Sequence, residues 1–216
     1  MRNVPRMLEE KRELIAAVMR EKVFECTCSL LREEGWRAFT MEKLAARMGV
    51  AKGTLYNYFR DKESVILFIR DRVTEHAGQA LTREMEKRTD TLALLRESIA
   101  MMLEGLEEYR FLHVPLGEIV LHRLGTDGGR ELREGGSAGR HVLAQLIGRG
   151  MREGIFRPGD AELTAAMIQS AVAGVDMGRC LDAALGTGTE QMREQLCDLI
   201  LRGICNDRSK SEEERS

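Results

Sequence analysis

Phe39 to Leu67 reads FTMEKLAARMGVAKGTLYNYFRDKESVIL, and the pattern of this stretch decides the fold. Thr40 precedes Met41, Leu44, Ala45 and Met48, whose i, i+3, i+4, i+7 spacing puts them on one face of a helix of about two turns. Gly49 then supplies the stop, because glycine adopts the positive φ that reverses a chain at a helix end. A second short helix begins near Ala51 or Lys52 and runs to Phe59, with Leu55 and Phe59 one turn apart on its inner face. Two short helices joined by Gly49-Val50-Ala51 form a helix-turn-helix, in which Val50 plugs the interhelical angle and Ala45 permits close approach. The second helix, laid in a major groove, presents Lys52, Thr54 and Asn57 as donors, with tyrosine hydroxyls at its flanks for phosphates.

Helical periodicity extends outward on both sides. Upstream, Leu14, Ile15, Val18, Met19, Val23, Cys26, Leu30 and Leu31 recur at three- and four-residue steps, predicting a helix over 7–34 that Gly35 ends. Downstream, Asp61 can cap a helix carrying Val65, Ile66, Phe68, Ile69 and Val73. Helical patterns continue through 81–85, 92–106, 116–124 and 140–151. Asp160 is the expected N-cap of a helix over 161–185, and Thr189 of a last one to Cys205. Gly125 to Gly139, rich in glycine, reads as a loop or broken helix end, and Asp207 to Ser216, without an apolar residue, reads as a disordered tail. With three prolines in 216 residues and only 5% aromatic side chains, an all-β or parallel α/β fold is excluded and an all-α fold expected.

The net charge of −2 argues against a generic polyanion binder, but its distribution is uneven. Residues 1–75 carry 15 Lys+Arg against 12 Asp+Glu, residues 76–206 sum to −4, and the last ten to −1. A basic head therefore sits on an acidic body. No apolar run suits a signal peptide or a membrane span, which predicts a cytoplasmic protein. Five cysteines at irregular spacing (26, 28, 180, 197, 205) suit reduced thiols in helices. Cys26 and Cys28 lie about 200° apart on a helix and cannot share a metal ion, so core packing is favoured over thiol sensing.

The stretch 39–67 resembles the DNA-binding head of the tetracycline-repressor (TetR) family of transcriptional regulators. Gly35, Thr40, Leu44, Ala45, Gly49, Val50, Gly53, Leu55, Tyr56, Phe59, Lys62 and Glu63 stand where that family's pattern puts them. The resemblance implies that Thr40 caps the first short helix and reaches a phosphate, that Tyr56 and Tyr58 contact backbone, and that Lys62 anchors the next helix. Lys52, Gly53, Thr54 and Asn57 are implied to face bases or adjoining phosphates. Ala51 departs from the family's usual hydroxyl and Tyr58 from its frequent histidine. Fifteen to twenty extra residues precede the usual start; they lengthen the first helix, form a basic arm (Arg2, Arg6, Lys11, Arg12), or reflect an upstream start codon. The competing reading of the head is a helical hairpin packed in a larger core.

For the body the resemblance implies an effector-binding and dimerisation domain over 76–206 behind a head over 1–75. Ala166, Ser170, Gly174 and Gly178 repeat every four residues, a small-residue stripe that admits a second helix closely. Met192, Leu196, Ile200 and Ile204 give the last helix an apolar seam. Paired across a two-fold axis these helices make a homodimer interface, or both stripes serve the monomer's core. A pocket for a largely apolar small-molecule effector is expected around Met101, Met102, Leu106, Tyr109, Phe111, Leu112, His113, Leu116 and Met167, although most such positions in any helical protein are core.

The expected function is a ligand-responsive transcriptional regulator, a repressor by the family's common mode, binding palindromic double-stranded operator DNA as a homodimer. An enzyme is not expected, since no phosphate loop, nucleophile elbow or metal-ligand cluster appears and the histidines at 76, 113, 122 and 141 sit in no motif. No cofactor and no metal are predicted. A helical interaction protein without DNA binding is the other alternative.

Overall fold

The computed structural model describes residues 4–123, 137–181 and 189–206. Among these the architecture is all-α: α1 (Val4–Ala38), α2 (Met41–Met48), α3 (Lys52–Tyr56), α4 (Lys62–Lys87), α5 (Thr91–Glu108), a 3-10 turn (Arg110–Leu112), α6 (His113–Arg123), α7 (Ser137–Arg152), α8 (Ala161–Leu181) and α9 (Thr189–Ile204). Most of the glycine-rich loop expected at 125–139 and the tail expected at 207–216 lie outside the described residues.

The chain divides into two compact units, Met1–Arg70 with Phe111–Gly129 and Asp71–Arg110 with Arg130–Ser216, and the division falls inside α4. In the first unit the residues preceding the usual family start lengthen α1, which leaves Leu14, Ile15 and Val18 exposed on it. Only from Val23 onward does the helix turn apolar positions inward, through Cys28, Leu30 and Leu31. Gly35 sits at φ 75°, outside helical space, so the chain bends there and delivers Trp36 and Phe39 into the core. Their rings stack with centroids 6.0 Å apart. The segment α6, distant in sequence, belongs to this unit. Trp36 Nε1–H donates to Glu118 Oε2 at 2.6 Å, and the buried Arg123 guanidinium donates to Glu63 Oε2 at 2.9 Å from Nη2. Arg32 also places its guanidinium 4.8 Å from the centre of the Phe111 ring.

The second unit has one apolar core, built by Leu94, Leu95, Ile99, Leu146, Ile147, Phe156 and Ala165 with Leu196 and Ile200 from the last helix. Asp90 and Asp160 cap α5 and α8 by accepting from the amides of Ala93 and Leu163 at 2.9 and 3.0 Å. Arg149 on α7 donates to the carbonyls of Met85 and Arg88, which would otherwise be orphaned at the C-terminal end of α4, and to Thr91 Oγ1 at the start of α5. One antiparallel bridge, Phe156 to Cys205, fastens the end of α9 to the turn after α7. Within this unit α4 and α7 cross so tightly that a Cβ on Gly139 would lie 2.8 Å from the Thr74 carbonyl oxygen. Only glycine fits that crossing.

Candidate nucleic-acid interface and effector cavity

The expected turn geometry is present in detail. Thr40, extended at φ −137° and ψ 157°, accepts the Lys43 N–H on its Oγ1 at 3.2 Å and so starts α2. Gly49 is left-handed at φ 67° and ψ 34°, and its N–H donates to the Ala46 carbonyl while that of Val50 donates to Ala45, at 3.1 and 3.0 Å. These bonds satisfy carbonyls that a helix end leaves open and swing the chain into α3. Beneath the turn, Leu44, Ala45, Met48, Leu55 and Phe59 are buried, which fixes the angle between α2 and α3 by packing. A bidentate ion pair from Arg47 to Glu33, at 2.7 and 3.1 Å, ties α2 back to α1. Through the Arg47 and Ser29 hydrogen bonds the Glu33 carboxyl is held down to about 2.

With the inner face committed to packing, the outer face of α3 is exposed. Lys52, Gly53, Tyr56, Asn57 and Tyr58 are exposed, with Tyr56 at 42% and Tyr58 at 39%, while Thr54 is half-buried. Ala51 gives α3 no side-chain cap. Lys52 pairs with Glu42 in the first turn of α2 and holds its ammonium 5.6 Å from the Tyr56 ring centre. That hydrogen bond raises the Lys52 pKa and lowers that of Glu42. Lys62 opens α4 and lies 4.0 Å over the Trp36 ring. Beside it Asp61 and Ser64 cap reciprocally, the Ser64 N–H donating to Asp61 Oδ1 at 2.7 Å and the Asp61 N–H to Ser64 Oγ at 3.2 Å. Partial burial works against ionisation of Asp61, but the Ser64 amide and Arg60 outweigh it and hold the carboxyl below its ordinary value.

A cavity of about 80 Å³ lies in the second unit, bounded by α4 (Thr74, Ala77, Gly78, Leu81), α5 (Ser98, Met101, Met102), α7 (Gly139, Leu143) and Gln169 of α8. Of the pocket residues expected from the sequence, Met101 and Met102 line it. Leu106 packs against the core of the same unit, and Met167 is 64% exposed on α8. Phe111, Leu112, His113 and Leu116 belong to the first unit, and Tyr109 caps the end of α5.

Residues 24–67, which hold the later part of α1, both helices of the helix-turn-helix and the start of α4, match the family described as bacterial regulatory proteins, tetR family. A relative, the nucleoid occlusion factor SlmA of Pasteurella multocida, is 27% identical over 101 residues, 47% of this chain and 47% of its own length. A TetR transcription regulator from Haloarcula marismortui has the same fold, with a TM-score of 0.67 and 20% identity over 88% of this chain and 100% of the other. Residues 24–67 belong to the TetR family of regulatory proteins. The chain spans about half the length of the SlmA relative. A transcriptional regulator from Saccharomonospora viridis solved in complex with choline has a similar fold, with a TM-score of 0.63 and 19% identity over 88% of this chain and 99% of that one.

Several contacts of the chain carry no sequence signature. The Glu42–Lys52 pair, the Trp36–Glu118 hydrogen bond and the Arg123–Glu63 pair join residues that no periodicity relates. The two stripes of the body also separate in the structure. On α8, Ala166 is half-buried, Ser170 and Gly174 are exposed, and Leu163 and Met167 stand exposed beside them. On α9, Leu196 and Ile200 turn into the core of their own unit and Ile204 packs against it, whereas Leu199 is 71% exposed. The surroundings of Gly178 and the Met192 side chain lie outside what the structure describes.

Proposed function

We propose that this TetR-family protein is a ligand-responsive transcriptional repressor that binds a palindromic operator as a homodimer and leaves it when a small-molecule effector binds. The observation that carries the reading is the capped α2–Gly49–α3 turn, which buries Leu44, Ala45 and Leu55 while leaving Lys52, Tyr56, Asn57 and Tyr58 exposed along one short helix. Those side chains supply a cation, an amide and hydroxyls, the donor types that phosphates and base edges take. In this reading residues 1–75, with α6, form the reader and the rest of 76–206 the sensor. The exposed face formed by Leu163, Met167, Ser170 and Gly174 on α8, with Leu199 on α9, supports pairing with a second copy. The cavity beside Met101 and Met102 supports an effector held in the second unit, and the choline complex of the Saccharomonospora viridis regulator supports a small-molecule effector in general.

Selecting bound sequences from random duplexes with the full chain tests the proposal. The expected product is an inverted repeat whose half-sites lie ~34–36 Å apart, bound more weakly as salt rises. Tyr56→Ala and Lys62→Ala lose that binding, and sedimentation gives a dimer at micromolar concentration. Enrichment of no sequence, or a monomer that binds a single asymmetric site, refutes it.

A further inference from the structure

The effector cavity has a chemistry that limits what it can hold. Among the described residues, none that lines it is charged and none is aromatic. A carboxylate entering it loses its hydration without gaining a guanidinium or ammonium, and a quaternary or primary ammonium finds neither a carboxylate nor a ring face. Met101, Met102, Leu81 and Leu143 offer apolar surface. The polar groups are neutral. Ser98 spends its proton on the Leu94 carbonyl at 2.7 Å, so towards a ligand it can only accept. Gln169 brings an amide that both donates and accepts.

Resting on the effector reading above, we infer that this cavity takes a small neutral amphiphile, an aliphatic alcohol or primary amide, with its alkyl part among the methionines and its polar group on Gln169 and Ser98. A hydroxyl or amide satisfies both partners because it donates to the Ser98 oxygen and accepts from the Gln169 amide. The volume of about 80 Å³ is roughly half of the ~150 Å³ that holds the six carbons of benzene in an engineered apolar cavity, so about three non-hydrogen atoms fill it as it stands. The backbone contact at Gly78 and Gly139, where a Cβ on Gly78 would lie 3.2 Å from Gly139 Cα, makes one wall stiff. The two thioether side chains make another adaptable, and longer homologues enter on that side.

The test uses the full chain with methyl-labelled methionine and three probes of equal chain length: 1-butanol, butanoate and butylammonium. Saturable shifts of the Met101 and Met102 methyl signals, assigned with Met101→Leu and Met102→Leu, are expected with butanol at concentrations at least ten-fold below either ion. Gln169→Leu weakens butanol at least five-fold, and Ala77→Met, which fills the cavity, removes the shifts while leaving the circular dichroism of the chain unchanged. Should Ala77→Met unfold the chain, the Gln169→Leu titration decides alone. Equal or stronger binding of an ion at these methyls, no binding by butanol, or indifference to Gln169→Leu overturns the inference. Operator release is measured separately. Butanol that shifts the methyls without releasing DNA upholds the inference and refutes the effector reading, whereas a charged compound that shifts them and releases DNA does the reverse.

Discussion

Replacing Gly53 by alanine separates folding from DNA reading, because the two respond with opposite sign. Gly53 is the second residue of α3, is exposed, and has no positive φ, so an L-residue adopts its backbone without strain. A Cβ built there meets nothing within 4 Å. Nothing in the free protein therefore opposes the usual helix preference for alanine over glycine, about 0.5–1 kcal/mol. For a chain of this size that corresponds to a melting temperature higher by roughly 1–4 °C. In the proposed complex with DNA the same methyl occupies space between α3 and the groove. An extra methyl in a packed contact costs about 1–3 kcal/mol, which is roughly a five- to 150-fold loss of affinity for each head. Thermal melting and fluorescence anisotropy with a selected operator, run on one preparation, read both effects. Unchanged affinity in a stabilised variant shows that α3 does not approach DNA at Gly53, and lower stability shows that the local account of α3 is wrong.

Lys52→Gln removes the cation that Glu42 holds on the outer face of α3, and the slope of log affinity against log salt is expected to fall by about 0.9 per head. An unaltered slope, measured by anisotropy across a salt series, means that Lys52 stays on Glu42 in the complex. Gly150→Ala drives a Cβ to 2.2 Å from Phe156 Cδ2 and 3.0 Å from Thr91 Cγ2, and a loss of about 1–3 kcal/mol or more is expected in urea melts. A wild-type melt shows that the buried Phe156 ring can step aside. The Glu33 carboxyl, depressed from 4.5 to about 2, contributes its pairing with Arg47 fully above pH 4.5 and loses it as pH falls towards 2. An NMR titration of this carboxyl in Arg47→Met is expected to return it towards 4.5, and a midpoint still near 2 contradicts the assignment to Arg47.

The helix-turn-helix was legible because its determinants are local. Thr40, Gly49 and the spacing of Leu44, Ala45, Met48 and Leu55 act within one or two turns, where propensity, capping and periodicity are written residue by residue. The Asp160 cap of α8 was legible for the same reason. The body is different. Periodicity predicts that the last helix has an apolar seam, but it does not say which surface the seam meets. Leu196 and Ile200 meet their own core and Leu199 meets none of it, although all three belong to one run of leucines and isoleucines. On α1 the apolar residues Leu14, Ile15 and Val18 follow the same period as Leu30 and Leu31, yet only the latter are covered.

By itself, the sequence determined the class of fold, the position of the turn and the side chains displayed along α3. Each of these is a short-range consequence of residue type and order. Tertiary structure alone decided that α6 packs with the head through Trp36–Glu118 and Arg123–Glu63, partners 82 and 60 positions apart. It also decided that the cavity lies among α4, α5, α7 and α8. Contacts between distant segments depend on which helix faces happen to be brought together. A helical period specifies a face without specifying its partner, and that missing partner is what the packed core supplies.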